Sequence, residues 1–142
     1  MNEQEPGRLL GLDLGSVRIG VAVSDAGQTV ATPLVVVDRS DRAAAHRAIA
    51  ELVAEWEISA VVVGLPLHLN GSAGASVSFV EAEIASIGAT LDVPILTYDE
   101  RLTTVTAHRS LDEQQIPAKK RRDMVDMVAA AVILQGWMDA NQ

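Results

Sequence analysis

Alternating apolar and small or polar positions open the chain and predict three strands. In residues 8–14, leucines at positions 10, 12 and 14 alternate with Gly11 and Asp13, which is the period of a β-strand. Residues 18–25 alternate in the same way, and residues 31–38 form a third apolar stretch. Because only short turns separate the three stretches, we predict an antiparallel meander.

The pattern then changes to helices that alternate with short, wholly apolar strands. Helical spacing of apolar residues predicts helices over 42–57, 75–91, 103–111 and 118–138. Residues 59–64 and 93–98 are predicted as strands buried on both faces. Strands separated by helices pair in parallel through right-handed crossovers. We therefore predict an α/β fold in the order βββαβαβαα, whose five-stranded mixed sheet has three antiparallel strands followed by two parallel ones.

Length and composition fit one folded domain. The chain has 142 residues, of which 49% are hydrophobic, and that is enough to bury a core. We predict a single domain over residues 1–142, with a flexible tail over about residues 1–7. The chain has no cysteine, so a metal would have to be held by carboxylate or histidine. Neither a signal peptide nor an uninterrupted apolar span is visible, and we expect a cytoplasmic protein without a membrane partner.

The net charge of -8 is distributed unevenly along the chain. Residues 101–122 carry six basic side chains against two acidic ones, a local charge of +4. The basic residues are Arg101, Arg109, Lys119, Lys120, Arg121 and Arg122. A local patch of this kind can bind phosphates, although a solvated charge run at a helix start has the same pattern. Nucleic acid therefore stays among the candidate partners of this acidic chain.

Asp13 is a carboxylate in the middle of an otherwise apolar strand. Removing an unpaired charge from water costs several kcal/mol even after relaxation. The carboxylate must therefore be paired, protonated or bound to a cation. Arg18, across the turn, is the obvious partner if Asp13 has only a structural role.

Further acids occur at positions where they can meet Asp13. Asp126 shares a face of the last helix with apolar residues, and Asp123 lies one turn earlier. Asp123 is a candidate second ligand, or an acid favoured at a helix start by the dipole. Asp99 and Glu100 end the last strand, where open α/β sheets place their sites. Because side chains alternate along a strand, only one of these two can readily converge with Asp13.

Three converging carboxylates would repel one another and raise one another's pKa values. A hard divalent cation removes this difficulty, since Mg²⁺ and Mn²⁺ prefer carboxylate and water oxygens and are often completed by phosphates. Two such ions about 4 Å apart can activate water and stabilise the leaving oxygen in phosphodiester cleavage. An acidic centre beside a basic patch thus indicates phosphodiester hydrolysis.

Four blocks of the sequence resemble the YqgF family, also called RuvX, of pre-16S rRNA nucleases in the RNase H-like superfamily. The blocks are "GLDLGSVRIGVAVSD", "VVVGLPLHLNGS", "YDERLTTVTAHRSL" and "DMVAAAVILQGWM". They occur in the order of the family and span nearly the whole chain. The resemblance implies an RNase H-like fold and carboxylate-bound Mg²⁺ or Mn²⁺.

The resemblance also assigns residues. Carried over by position, the catalytic and metal-binding acids are Asp13, Glu100 and Asp126, with Asp123 as a further candidate ligand. Resolvases of the RuvC type usually carry an acid where this chain has Gly64, which makes Glu100 the expected replacement. The site-shaping loop is expected to include Gly64, Pro66 and Gly71. The remaining arginines, Arg18, Arg101 and Arg109, are expected to bind phosphates or to orient the acids, and neither His46 nor His108 is assigned a ligand role.

Three functions follow from this pattern as hypotheses. The first is a metal-dependent nuclease that processes the 5′ end of precursor 16S rRNA. The second is a resolvase of four-way DNA junctions, and the third is a nucleic-acid-binding assembly factor whose acids are structural. The turn "DLGS" also resembles the phosphate loop of actin-like ATPases, but those need a second comparable domain. We expect RNA or branched DNA as partner, and a monomer or weak homodimer.

Overall fold

A computed structural model describes residues 6–15, 17–65, 75–99 and 118–141, with only the backbone described at 75–79 and 118–122. The strands are β1 (Arg8–Leu14), β2 (Arg18–Ser24), β3 (Ala31–Asp38), β4 (Ile58–Leu65) and β5 (Ile95–Asp99). The helices are α1 (Arg42–Glu55), α2 (Ala75–Gly88) and α3 (Ala118–Ala140). The short helix predicted over 103–111 lies outside the described residues.

The strands form one five-stranded sheet in the order β3-β2-β1-β4-β5. β1 and β3 both pair antiparallel with β2, while β4 pairs in parallel with β1 and with β5. This confirms the predicted mixed sheet, with the meander on one side and the crossover strands on the other. The first strand, which carries Asp13, lies at the centre of the sheet.

Both faces of the sheet are apolar and each is covered by helices. On one face Leu10, Leu12 and Val63 join a buried cluster with residues of α1 and α2. On the other face Leu9 and Val62 form a second buried cluster with residues of α3, namely Ala130, Ala131, Ile133, Leu134 and Met138. The period-two alternation of β1 therefore places its even residues towards α1 and α2, and its odd residues, including Asp13, towards α3.

The helix ends follow local capping chemistry. Asp41 begins α1, and its carboxylate accepts a hydrogen bond from the backbone N–H of Ala44 at 3.1 Å. Helix α2 ends at Gly88, three residues before the predicted end, because successive N–H groups of Thr90 and Leu91 form tighter three-residue turns to Ile87 and Gly88. Within the described ranges, no helix combines the length and apolar character needed to cross a membrane.

Glycines let α3 lie unusually close to the sheet. A Cβ placed on Gly20 would overlap the backbone carbonyl of Asp126, and one on Gly11 would lie 2.8 Å from Cβ of Leu134. At Gly136 the glycine belongs to the helix and the neighbour to the sheet, since a Cβ there would lie 2.7 Å from the hydroxyl of Tyr98. The missing side chains on both surfaces therefore fix how deep the helix sits.

We expect Gly20→Ala to destabilise the protein by about 1–3 kcal/mol, because the new methyl group forces the Asp126 segment of α3 away from β2. Urea unfolding measures the change in the free energy of unfolding. Gly27→Ala is the matched control, since its Cβ would lie 3.4 Å from the carboxylate of Asp25 and meets no backbone atom. Equal stability of the two variants would contradict the close approach described above.

Candidate functional site

Asp13 lies on the α3 face of the central strand between two residues without side chains. Its antiparallel partner on β2 is Gly20. On β4 the last parallel pair is Leu12 with Val63, so the next step of the register brings Gly64 beside Asp13. Glycines on both neighbouring strands place no side chain beside the carboxylate on this face.

Asp126 reaches the same place from the helix. Its backbone carbonyl lies directly over Gly20, and Gly20 is the cross-strand partner of Asp13. Residues paired across an antiparallel ladder have Cα atoms about 4.5–5.5 Å apart. The structure thus places the backbone of Asp126 over Gly20, the cross-strand partner of Asp13, although the two acids are 113 positions apart in the sequence. Convergence of their carboxylates stays a prediction.

Arg18 binds the helix acids at this contact. Its Nε donates a hydrogen bond to Oδ2 of Asp126 at 2.6 Å and lies 3.7 Å from Oδ1 of Asp123. The hydrogen bond to Asp126 raises the pKa of Arg18, burial opposes the rise, and the charges of both acids add to it. The side chains of Arg18 and Asp126 are 30% and 22% exposed. The sequence analysis names Arg18 as the partner of Asp13 in a purely structural role, and the structure shows that the same arginine forms a salt bridge with Asp126.

Asp99, the last residue of β5, lies at the end of an edge strand of the sheet. Tyr98 packs on α3 with the second apolar cluster. Asp99 pairs in register with Leu65, which packs with the cluster under α1 and α2. Asp99 therefore lies on the face opposite to Asp13 and does not converge with it. Glu100, the other acid that the sequence offered, lies outside the described residues.

The remaining predicted site residues are described only in part. Gly64 is buried near the end of β4 and pairs with Tyr98. The backbone of α3 carries Lys119, Lys120, Arg121 and Arg122 immediately before Asp123. These four lie within about 10 Å of Asp126 along the helix axis, from the rise of 1.5 Å per residue. The predicted residues outside the described part of the chain are Pro66, Gly71, Arg101 and Arg109.

The donor chemistry of the contact fits a hard divalent ion. Asp13, Asp123 and Asp126 contribute only carboxylate oxygens, which Mg²⁺ and Mn²⁺ prefer, and glycines line the floor between them. Within the described ranges, no group of three or more histidine, cysteine or acidic residues is already arranged around a common metal position. The carboxylate of Asp126 is instead turned to Arg18.

A buried polar cluster around Glu83 was missed by the sequence analysis. Glu83 is 1% exposed on α2 and binds three basic side chains. Its carboxylate lies 2.8 Å from Nη2 of Arg39, 2.8 Å from Nε of Arg42 and 2.9 Å from Nε2 of His46. Burial favours a higher pKa for Glu83, but the bonds from His46, Arg42 and Arg39 outweigh it and hold the pKa below its usual value.

A signal for this cluster was present in the sequence. Glu83 lies three residues after Val80 and four before Ile87, and both of these are buried on the inner face of α2. An acid on an apolar helix stripe was the reason for selecting Asp126. The same reasoning would have selected Glu83, although it would not have identified His46 as its partner.

Comparison with known proteins places these residues in a family context. Residues 7–140 match the family model RuvX, described as a Holliday junction resolvase. A protein of Roseiflexus sp. (strain RS-1) named "Putative pre-16S rRNA nuclease" is 40% identical over 97% of this chain and 98% of its own length. A protein of the same name from Anaeromyxobacter sp. (strain Fw109-5) is 46% identical over 94% of this chain and 98% of its own length.

Solved structures of junction resolvases share the fold. RuvC of T. thermophilus in complex with a Holliday junction substrate matches with a TM-score of 0.58 at 17% identity, over 94% of this chain and 95% of RuvC. The fowlpox virus resolvase in complex with Holliday junction DNA matches with a TM-score of 0.60 at 9% identity, over 94% of this chain and 98% of the resolvase. At these identities the likeness shows the RNase H-like fold alone.

Double-mutant cycles should rank the two acids bound by Arg18. With Arg18→Met, Asp126→Asn and Asp123→Asn, we expect a coupling energy of about 1 kcal/mol for Arg18 with Asp126 and near zero for Arg18 with Asp123. The difference arises because the first pair makes a hydrogen bond of 2.6 Å, whereas 3.7 Å separates the second. Urea unfolding at low and at 1 M salt measures both cycles. Equal coupling in the two cycles at low salt would contradict the pairing, and 1 M salt should weaken the Arg18–Asp126 coupling because it screens a partly exposed pair.

Proposed function

The chain belongs to the RuvX family, and on that premise we propose that it is a metal-dependent nuclease that processes the 5′ end of precursor 16S rRNA. The observation that supports this most directly is the contact where α3 brings Asp126 over Gly20 and beside Asp13. Two acids from distant segments of the chain thus lie on either side of Gly20. The curated relatives that match along nearly the whole chain bear the rRNA nuclease name.

Asp13, Glu100 and Asp126 are the proposed metal ligands, with Asp123 as a further one. Glu100 is the acid of the "DER" block, and Asp99 is an unsuitable substitute because it shares the opposite face with Leu65. Mg²⁺ or Mn²⁺, when bound, supplies an activated water and compensation for the charge that develops on the phosphate. Carboxylates from three separate segments of the chain would together hold such an ion.

Basic residues around the acids are proposed to bind the nucleic-acid backbone. Arg18 lies at the contact itself, and Lys119, Lys120, Arg121 and Arg122 occupy the first turns of α3. Arg101 and Arg109 would add to the same patch. Phosphate contacts of this type fix the position of the substrate without reading its sequence. Residues Gly64, Pro66 and Gly71 are proposed to shape the loop beside the scissile phosphate.

A DNA junction is the second candidate substrate. The description of the family model and the solved complexes of RuvC and the fowlpox enzyme favour it. A four-way junction has two strands to cut and needs two active sites, so this reading requires a dimer. We propose a monomer or weak homodimer, which suits an rRNA end better. An assembly factor that binds without cleaving is the third candidate, and it would retain RNA affinity without divalent ions.

The domain and location follow from the same proposal. The family match covers residues 7–140, which supports a single domain over residues 1–142 with about 1–7 as its tail. A nuclease that acts on ribosomal RNA precursors would work in the cytoplasm.

We expect Asp13→Asn and Asp126→Asn each to lower the cleavage rate at least about 100-fold, since each removes several kcal/mol of metal-dependent stabilisation of the transition state. The assay offers purified protein a 5′-extended 16S rRNA precursor and a four-way DNA junction, each with Mg²⁺ or Mn²⁺. Circular dichroism checks that the variants are folded.

The control for this assay is Asp139→Asn. Asp139 is exposed near the other end of α3, about 20 Å from Asp126 along the helix axis, and its loss should leave cleavage unchanged. Cleavage of the junction alone would replace the rRNA proposal by the resolvase reading. Failure to cut either substrate would leave only the binding factor.

Removing the Arg18 guanidinium should tighten metal binding, because the cation no longer competes with it for Asp126. A coupling of about 1 kcal/mol corresponds to about a fivefold lower dissociation constant for Mn²⁺ in Arg18→Met. Calorimetric titration of the protein without nucleic acid measures this value. Arg47→Met is the control, since Arg47 is an exposed residue of α1. Unchanged or weaker Mn²⁺ binding in Arg18→Met would contradict the role of Asp126 as ligand.

A further inference from the structure

The buried cluster around Glu83 extends beyond the helices that it joins. Arg39 follows β3 directly, and its side chain is 6% exposed. Its Nη2 donates to Glu83 of α2 at 2.8 Å, while its Nη1 donates to the backbone carbonyl of Gly15 at 2.9 Å. One guanidinium therefore links a buried carboxylate to the turn between β1 and β2.

The same turn is held by the backbone of Arg39. The N–H of Arg39 donates to the carbonyl of Val17 at 2.9 Å. Within the turn, the N–H of Gly15 donates to the carbonyl of Arg18 at 2.9 Å. Arg39 thus binds two carbonyls of a turn whose flanking strands carry Asp13 on one side and Arg18 on the other.

Glu83 is a firm anchor for this link. It is 1% exposed and bound by Arg39, Arg42 and His46 at once, and buried ionic groups with satisfied hydrogen bonds have little freedom to move. The planar fork of Arg39 spans the two acceptors in a fixed geometry, which a single ammonium group cannot reproduce.

We propose that Arg39, anchored by Glu83, is a positioning residue that holds the β1–β2 turn and thereby sets the placement of Asp13 for the metal and of Arg18 for the substrate. This inference rests on the function proposed above. Glu83 lies on the face of the sheet that α1 and α2 cover, whereas Asp13 lies on the α3 face. The link through Arg39 and the β1–β2 turn would let the first face influence the second. The competing interpretation is that the cluster only stabilises the packing of α1 and α2.

Arg39→Lys is the decisive variant and Arg42→Gln its matched control. Lysine keeps the positive charge beside Glu83 but cannot also bind Gly15. Arg42→Gln removes a bond to the same carboxylate, from a side chain that is 55% exposed and that also bonds to Ser86. A cluster that only stabilises the packing of α1 and α2 would leave the Mn²⁺ affinity of both folded variants unchanged, whereas a positioning role lowers it in Arg39→Lys alone.

The first readout is independent of nuclease activity. For Arg39→Lys we expect about a tenfold weaker Mn²⁺ affinity by calorimetry, the range seen when groups that orient metal ligands are removed. We also expect the backbone amides of Gly15 and of position 39 to exchange hydrogen faster than the same amides of the parent protein. Arg42→Gln should keep both values within about twofold of the parent.

The second readout is kinetic. For Arg39→Lys we expect kcat on the rRNA precursor to fall about 10-fold to 100-fold with KM within about threefold, because the reacting groups are misplaced while the phosphate patch is intact. Parent-like Mn²⁺ affinity and turn exchange in folded Arg39→Lys would overturn the proposal. If this variant does not fold, Glu83→Gln, which keeps the size of the anchor, replaces it with the same expected direction and the same overturning result.

The two proposals fail in different ways. An inactive parent protein that still shows weaker Mn²⁺ binding and faster turn exchange in Arg39→Lys would refute the nuclease and retain the positioning role. An active parent protein whose Arg39→Lys and Arg42→Gln variants behave alike would refute the positioning role and retain the nuclease.

Discussion

The close contact between α3 and the glycines of β1 and β2 is the constraint on which the site depends. The helix can approach only where side chains are missing, at Gly11 and Gly20. That approach determines the height of Asp126 over the sheet and therefore its relation to Asp13. A helix lifted by even one methyl group would move Asp126 away from Gly20 and from the strand that carries Asp13, since interiors packed at crystal density do not absorb the added volume.

Two arginines hold this arrangement from opposite sides of the sheet. Arg18 projects towards α3 and binds Asp126, while Arg39 lies behind the turn and binds Gly15 and Glu83. Both act on the short connection between β1 and β2. The connection is thus held by the antiparallel ladder, by Arg39 and by the helix acids, which is what a site requires to keep its groups within a fraction of an ångström.

Local patterns in the sequence were sufficient to predict most of the fold. The alternation in β1 placed Asp13 on the face opposite to Leu12, and the helical period placed Asp126 on the inner face of α3, as the structure confirms. The family resemblance implied the RNase H-like fold, which the comparisons confirm. The two placements depend on how apolar and polar residues repeat along a short segment, and a single sequence is enough to show that repeat.

Partners across long separations could not be predicted in the same way. Arg18 begins β2, the strand that pairs with the strand of Asp13, and its side chain bonds to Asp126, 108 residues away. Glu83 gathers donors that lie 37 to 44 residues earlier in the chain. Periodicity shows which face of an element an acid occupies, and it does not show which other elements supply the neutralising charge.

Glu83 differs from the acids of α3, Asp123 and Asp126, more in the number of positive charges beside it than in its burial. Glu83 alone meets two arginines and a histidine, so its charge is already compensated and a further cation there would be repelled. Among the described side chains at the α3 contact the ratio is reversed, because Asp123 and Asp126 both lie beside the guanidinium of Arg18. These two helix acids and that arginine carry a formal excess of negative charge at a place where 22% of the Asp126 side chain is still exposed. An excess of that sign attracts divalent cations, which is why Asp126 is proposed as a metal ligand and Glu83 as an anchor.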